Sequence, residues 1–66
     1  MKNKLKVARA EANLSQAELA ERIGVSRQTI NSIETGRYVP STILALKLAL
    51  VFVRPVETLF LLEETD

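Results

Sequence analysis

Gly24 stands between two segments that each carry their own helix start signal, and no other feature constrains the chain as much. In residues 15–36, SQAELAERIGVSRQTINSIETG, Ser15 is placed to accept from the amide of Glu18 while the Glu18 side chain reaches back to the Ser15 amide, the reciprocal pattern of a capping box. Leu14 and Leu19 flank that cap as a hydrophobic staple. Residues 17–22 are good helix formers, and Glu18 with Arg22 makes a favourable pair one turn apart. Gly24 ends the segment, because without a Cβ it takes the left-handed conformation that closes a helix. The pattern then restarts with Ser26 as cap and Val25 and Ile30 as staple, and runs from Arg27 to Thr35 until Gly36 stops it. So short a turn predicts two helices held at a steep angle.

The apolar residues of the pair, Leu19, Ala20, Ile23, Val25, Ile30 and Ile33, are spaced as one face on each helix. Ala20 is predicted at the crossing, where a larger side chain would push the helices apart. The outward residues of the second helix are Arg27, Gln28, Asn31 and Ser32. All four can hydrogen-bond a base edge or a phosphate, and none is acidic. A helix of about nine residues is roughly 14 Å long and fits across a major groove about 12 Å wide, with its first residues at the base edges. Arg27 there offers a two-pronged match to guanine and Gln28 one to adenine, each worth about 1–3 kcal/mol of discrimination.

Composition narrows the alternatives. A chain of 66 residues predicts one domain, 1–66, with the two-helix motif at 16–35. A fold of that size hides only about 60% of its unfolded surface, so its stability alone is modest. An apolar fraction of 47% is generous for so small a body and suggests that part of it closes against a second copy. The chain has no cysteine and no histidine, which removes disulfides, thiolate and imidazole metal sites and the usual nucleophile–base pairs. The one carboxylate cluster, Glu63, Glu64 and Asp66, reads as a solubilising end, so neither an enzyme, a metal site nor a cofactor is expected.

The formal net charge of +1 conceals an asymmetry. Residues 1–40 carry seven Lys or Arg against four Glu, whereas residues 41–66 carry two against four Asp or Glu, giving +3 and −2. The apolar stretch from Ile43 to Leu62 is interrupted by Lys47, Arg54, Pro55 and Glu57, so no uncharged run approaches the ~20 residues of a membrane span. With no signal peptide, a cytoplasmic location is expected, on the nucleoid when DNA is bound. Five helices are predicted, at 3–12, 15–23, 26–35, 41–52 and 55–60, in an all-α fold. The tail FLLEETD either extends the last helix or forms a short strand that pairs with its copy in a dimer.

With these residues in view, the chain resembles the phage-repressor-like helix-turn-helix family, also called Xre-like or Cro-like, over nearly all of its length. Arg9 and Glu34 fall where that family places an ion pair between its first and third helices, Pro40 and Ser41 open the expected fourth helix, and PVETLF at 55–60 is similar to the short fifth one. The pair is either buried, in which case losing one partner costs about 3–5 kcal/mol, or an ordinary surface pair. The resemblance implies a compact five-helix, lambda-repressor-like fold and a sequence-specific regulator of double-stranded DNA, a repressor acting as a homodimer on a palindromic operator. It implies phosphate contacts from Gln16, Arg37 and Tyr38, with a further contact from Thr29.

The chain departs from the family pattern in its C-terminal third. Ile43 and Leu50 stand where relatives carry polar residues, and either form an interface or pack beneath the tail. Val53 stands where relatives have glycine or asparagine, and Arg54 replaces a small capping residue, so the turn there is either strained or redirected. The dimer-interface candidates are Ile43, Leu50, Val53, Leu59, Phe60 and Leu62, of which Leu59 and Phe60 could instead complete the core. The competing reading is an antitoxin or antirepressor-type protein whose apolar C-terminal third binds another protein.

Overall fold

A computed structural model describes residues 1–66, ordered as β1 (Lys2–Asn3), α1 (Leu5–Glu11), α2 (Gln16–Ile23), α3 (Arg27–Glu34), α4 (Thr42–Phe52), α5 (Val56–Leu59) and β2 (Phe60–Leu61). Serines start three of the five helices. Ser15, Ser26 and Ser41 each accept from the amide three residues on, at 3.0, 3.1 and 3.2 Å, and at Ser15 the Glu18 carboxylate completes the capping box at 2.9 Å. The capping hydrogen bonds hold the Glu18 carboxyl below the usual carboxylate range, the Ser15 amide contributing most and its hydroxyl next.

Four helix ends share one device. At the ends of α1, α2, α3 and α4 a left-handed residue, respectively Asn13, Gly24, Gly36 and Val53, donates to the carbonyl three residues back while the next residue donates five back. This is the Schellman motif, and it satisfies carbonyls that the helix leaves free. Asparagine and glycine tolerate that conformation; valine, branched at Cβ, does not. Val53 nevertheless holds φ 52° and ψ 49°, because Val53 N to Leu50 O at 3.2 Å and Arg54 N to Ala49 O at 3.1 Å close α4. The chain thus keeps the turn and accepts strain at Val53. Pro55 precedes α5 and makes no side-chain cap, while Arg54 points elsewhere, its guanidinium 2.7 Å from Glu11 of α1.

The core consists of Leu5, Ala8, Leu14, Leu19, Ala20, Ile23, Ile30, Ile33, Leu44, Leu48, Ala49 and Leu59, with no polar side chain among them. Ala20 is buried between the helices, and Val25, half-buried, packs against the core beside it in the turn.

Two expectations are corrected here. The first helix starts at Leu5 rather than at residue 3, since the Asn3 side chain accepts from the Leu5 amide at 3.1 Å and donates to the Ile33 carbonyl at 2.8 Å. Those bonds hold Lys2 and Asn3 extended. The tail does form a strand, but its partner is the chain's own beginning: β1 and β2 run antiparallel with Lys2 opposite Leu61 and Asn3 opposite Phe60, continued by Lys4 N to Leu59 O at 2.8 Å. Glu63 and Asp66 then lie 3.2 and 3.1 Å from the Met1 ammonium, which raises the affinity of that amine for its proton, Asp66 contributing first.

Candidate nucleic-acid interface

α2 and α3 pack closely through the buried faces just named, leaving the opposite side of α3 in solvent. Arg27, Gln28 and Asn31 are exposed on that side and Ser32 is half-buried. These four residues, with Gln16 from the start of α2 and Arg37 from the turn after α3, line one open polar concavity of about 410 Å³ that contains no apolar residue. On the other flank of α3, Thr29, Gln28 and Ser32 meet Val25, Ser26, Tyr38 and Leu44 around a second concavity of about 530 Å³. α3 therefore stands as a ridge between two troughs, with the N-terminus of the helix, where the dipole is positive and the Thr29 amide is taken by the Ser26 cap, at its leading end.

The expected phosphate-contacting residues are divided between the flanks. Gln16 and Arg37 lie on the first and Thr29 and Tyr38 on the second. The Thr29 hydroxyl is shared with the Ser26 hydroxyl at 3.0 Å, so it is partly engaged in the cap. Arg37 and Tyr38 are fixed to the end of α3 by their amides, which donate to the Ser32 carbonyl at 2.9 and 3.2 Å. Neither Arg27 nor Arg37 pairs with a carboxylate, since the four ion pairs of the chain involve Met1 twice, Arg9 and Arg54. Both guanidiniums are thus free to meet an anion.

Behind the ridge lies a network anchored on Glu34. Arg9 donates from Nε to Glu34 Oε2 at 2.7 Å and from Nη2 to Oε1 at 3.3 Å, while its Nη1 reaches the Leu14 carbonyl at 2.9 Å. The Glu34 side chain is only 4% accessible and that of Arg9 16%, so this is a largely buried pair and not a surface one. The hydrogen bond from Arg9 to Glu34 raises the already high proton affinity of the guanidinium. Gln16 Nε2 joins the same carboxylate at 3.1 Å and extends it to Asn31 Oδ1 at 3.2 Å.

The second surface of note is apolar. Ile43, Leu50 and Val53 are 69, 79 and 88% exposed, which excludes the alternative that Ile43 and Leu50 pack beneath the tail. β1 draws the tail toward the chain's beginning instead. Leu59 is fully buried and Phe60 half-buried against the core, so Leu59 is withdrawn from the interface candidates; it is the inward residue of α5. Leu62 is exposed beyond β2. Leu46, missing from the sequence candidates, is exposed between Ile43 and Leu50 and belongs to both apolar concavities of this region. One, of about 340 Å³, includes Met1, Val39, Pro40 and Phe60, and the other, of about 620 Å³, includes Leu50, Val53 and Pro55. Its signal was the near-continuous apolar run of α4, in which Lys47 is the one charged residue. No helix is long and apolar enough to cross a membrane, and no group of three or more His, Cys, Asp or Glu side chains could hold a metal ion.

Comparison with known proteins agrees with this geometry. Residues 5–59 match a family described as helix-turn-helix. The chain is 52% identical over 66 residues to an uncharacterised HTH-type transcriptional regulator of Methanocaldococcus jannaschii, the match covering all of both chains. It is equally 52% identical, again over the whole of both chains, to an uncharacterised HTH-type transcriptional regulator of Bacillus subtilis. Among solved structures it is similar to the solution structure of the SOS-response transcriptional repressor LexA from Eubacterium rectale, with a TM-score of 0.80 and 29% identity over 94% of this chain and 66% of that one. The mostly helical fold, the two capped helices around Gly24 and these relatives together place the chain in the Xre/Cro-like helix-turn-helix family of DNA-binding transcriptional regulators.

Proposed function

We propose that this chain is a sequence-specific regulator of double-stranded DNA that acts as a repressor, binding as a homodimer to a palindromic operator with α3 seated in the major groove. The observation that carries the reading is the exposed ridge of α3, whose outward residues Arg27, Gln28, Asn31 and Ser32 include no acid and no large apolar group. Its eight residues span about 12 Å, the width of a major groove. Arg27 and Gln28 lead at base edges with Asn31 and Ser32 one turn behind, while Gln16, through its backbone amide at the start of α2, and Arg37 on one flank and Thr29 and Tyr38 on the other meet the phosphates. The protein works in the cytoplasm, on the nucleoid when bound.

One such module makes too few contacts to select an address in a genome, so two copies act together. The apolar face of α4, with Ile43, Leu46, Leu50 and Val53, supports self-pairing, and Leu62 extends it. A standard interface needs about 800 Å² from each partner, less than a fifth of the 4541 Å² that the chain exposes. The same face supports a second reading, an antitoxin or antirepressor-type protein that uses it to bind a different chain. Selection of bound sequences from random duplexes separates the two: a palindromic winner with half-sites about one helical turn apart supports the homodimer. A single half-site, together with a sedimentation coefficient that stays monomeric at all concentrations, favours the other reading.

A further inference from the structure

Glu34 never faces the groove, yet it dictates which end of the Asn31 amide does. A carboxylate only accepts, so the end of Gln16 that meets Glu34 Oε1 at 3.1 Å must be its NH2 group. That same Nε2 lies 3.2 Å from the Asn31 amide, and a nitrogen whose second proton points at Asn31 requires an acceptor there. Asn31 therefore turns Oδ1 inward and leaves Nδ2 facing solvent, with no other partner in the chain. Arg9 holds the origin of this relay in place, since its two bonds fix the carboxylate and its third, to the Leu14 carbonyl, fixes the guanidinium.

We propose that Glu34, acting through Gln16, is a specificity-positioning residue that presents Asn31 to DNA as a hydrogen-bond donor. The proposal rests on the reading of α3 as the groove-facing helix. An asparagine free to rotate pairs both ends of its amide with adenine N6 and N7. With Oδ1 turned toward Gln16, Asn31 instead seeks an acceptor, guanine O6 or N7, thymine O4 or adenine N7, and rejects cytosine, whose major-groove edge offers only a donor. Sequence choice at that base pair is thus set by a carboxylate that touches no base.

The test is selection from random duplexes with the wild type, Asn31→Ala, Gln16→Met and Glu34→Gln, each checked for native helicity by circular dichroism. Asn31→Ala locates the base pair that Asn31 reads. There the wild type should favour guanine or thymine over cytosine by about tenfold. Gln16→Met frees the Asn31 amide and should flatten that preference while leaving the other positions as they were, whatever it does to overall affinity. Glu34→Gln goes further. Its oxygen stays on Arg9 Nε and its NH2 faces Gln16, which must reverse; Asn31 reverses in turn, and the preference should move toward cytosine. Gln16→Met alone keeps the proposal testable should Glu34→Gln fail to fold. Folded Gln16→Met protein that retains the wild-type base there overturns the proposal while leaving the α3 reading intact. If Asn31→Ala and Arg27→Ala both select the wild-type sequence at every position, α3 does not read bases and the proposal falls with that reading.

Discussion

Replacing Val53 by glycine should stabilise the isolated chain. Val53 is held at φ 52° and ψ 49°, and that left-handed conformation costs an L-residue roughly 1–2 kcal/mol, with β-branched side chains at the upper end. Glycine removes the penalty but loses about 0.5–1 kcal/mol through the greater freedom of its unfolded chain. Packing hardly enters the comparison, because the side chain is 88% exposed. The net gain is about 1 kcal/mol, a rise in Tm of about 4–8 °C for a domain of this size. Val53→Asn should give a similar gain, since the chain already places asparagine in this conformation at residue 13. Gly24→Val is the mirror experiment: nothing lies within 4 Å of the Cβ it would introduce, so its cost is conformational and should have the opposite sign. Thermal and urea unfolding should be followed at protein concentrations low enough to keep the chain monomeric, since association contributes its own stability. A dilute Val53→Gly protein no more stable than wild type would refute the reasoning that Val53 stores strain.

Removing the Arg9 side chain leaves the Glu34 carboxylate buried without its partner, and Arg9→Ala should lower stability by about 3–5 kcal/mol in urea unfolding, a large share of what so small a fold possesses. The Glu18 carboxyl titrates below its ordinary value of 4.5, so the unfolded chain binds the extra proton between the two values. Its contribution is present above that ordinary value and is lost as pH falls through the lower one. Glu18→Gln keeps a capping side chain without a titrating group and should show a shallower loss of stability on the acid limb, measured as Tm against pH. Arg37→Ala should weaken binding to all duplexes about equally and reduce the slope of log K against log salt by about 1, as read from a salt titration.

What was legible in the sequence follows from the range of the interactions. Ser15 with Glu18, Ser26 with Thr29, and Gly24 are contacts within one turn of chain, and their residue types declare them. Pairing two-residue strands across the whole length of the chain leaves no such signature. The decisive group was the Asn3 side chain, which bridges the Leu5 amide and the Ile33 carbonyl. At Val53 the conflict could be read from the sequence, but its outcome depended on Schellman bonds outweighing one residue's preference. Leu59 ends a four-residue helix and Phe60 begins the strand that follows it, a junction where periodicity cannot choose which one enters the core. Of the candidate site, the exposed face of α3 follows from helical spacing alone. The link from Glu34 through Gln16 to Asn31 does not, because it joins side chains of two helices whose crossing is set by the core.

The central claim is that α3 reads bases, and the most direct test is to compare the sequences that wild type and Arg27→Ala select from the same random duplex pool. Wild type should enrich one site, and Arg27→Ala should lose its guanine preference at one base pair per half-site while keeping the rest. Identical winners from the two proteins, or no enrichment by the wild type, would contradict it.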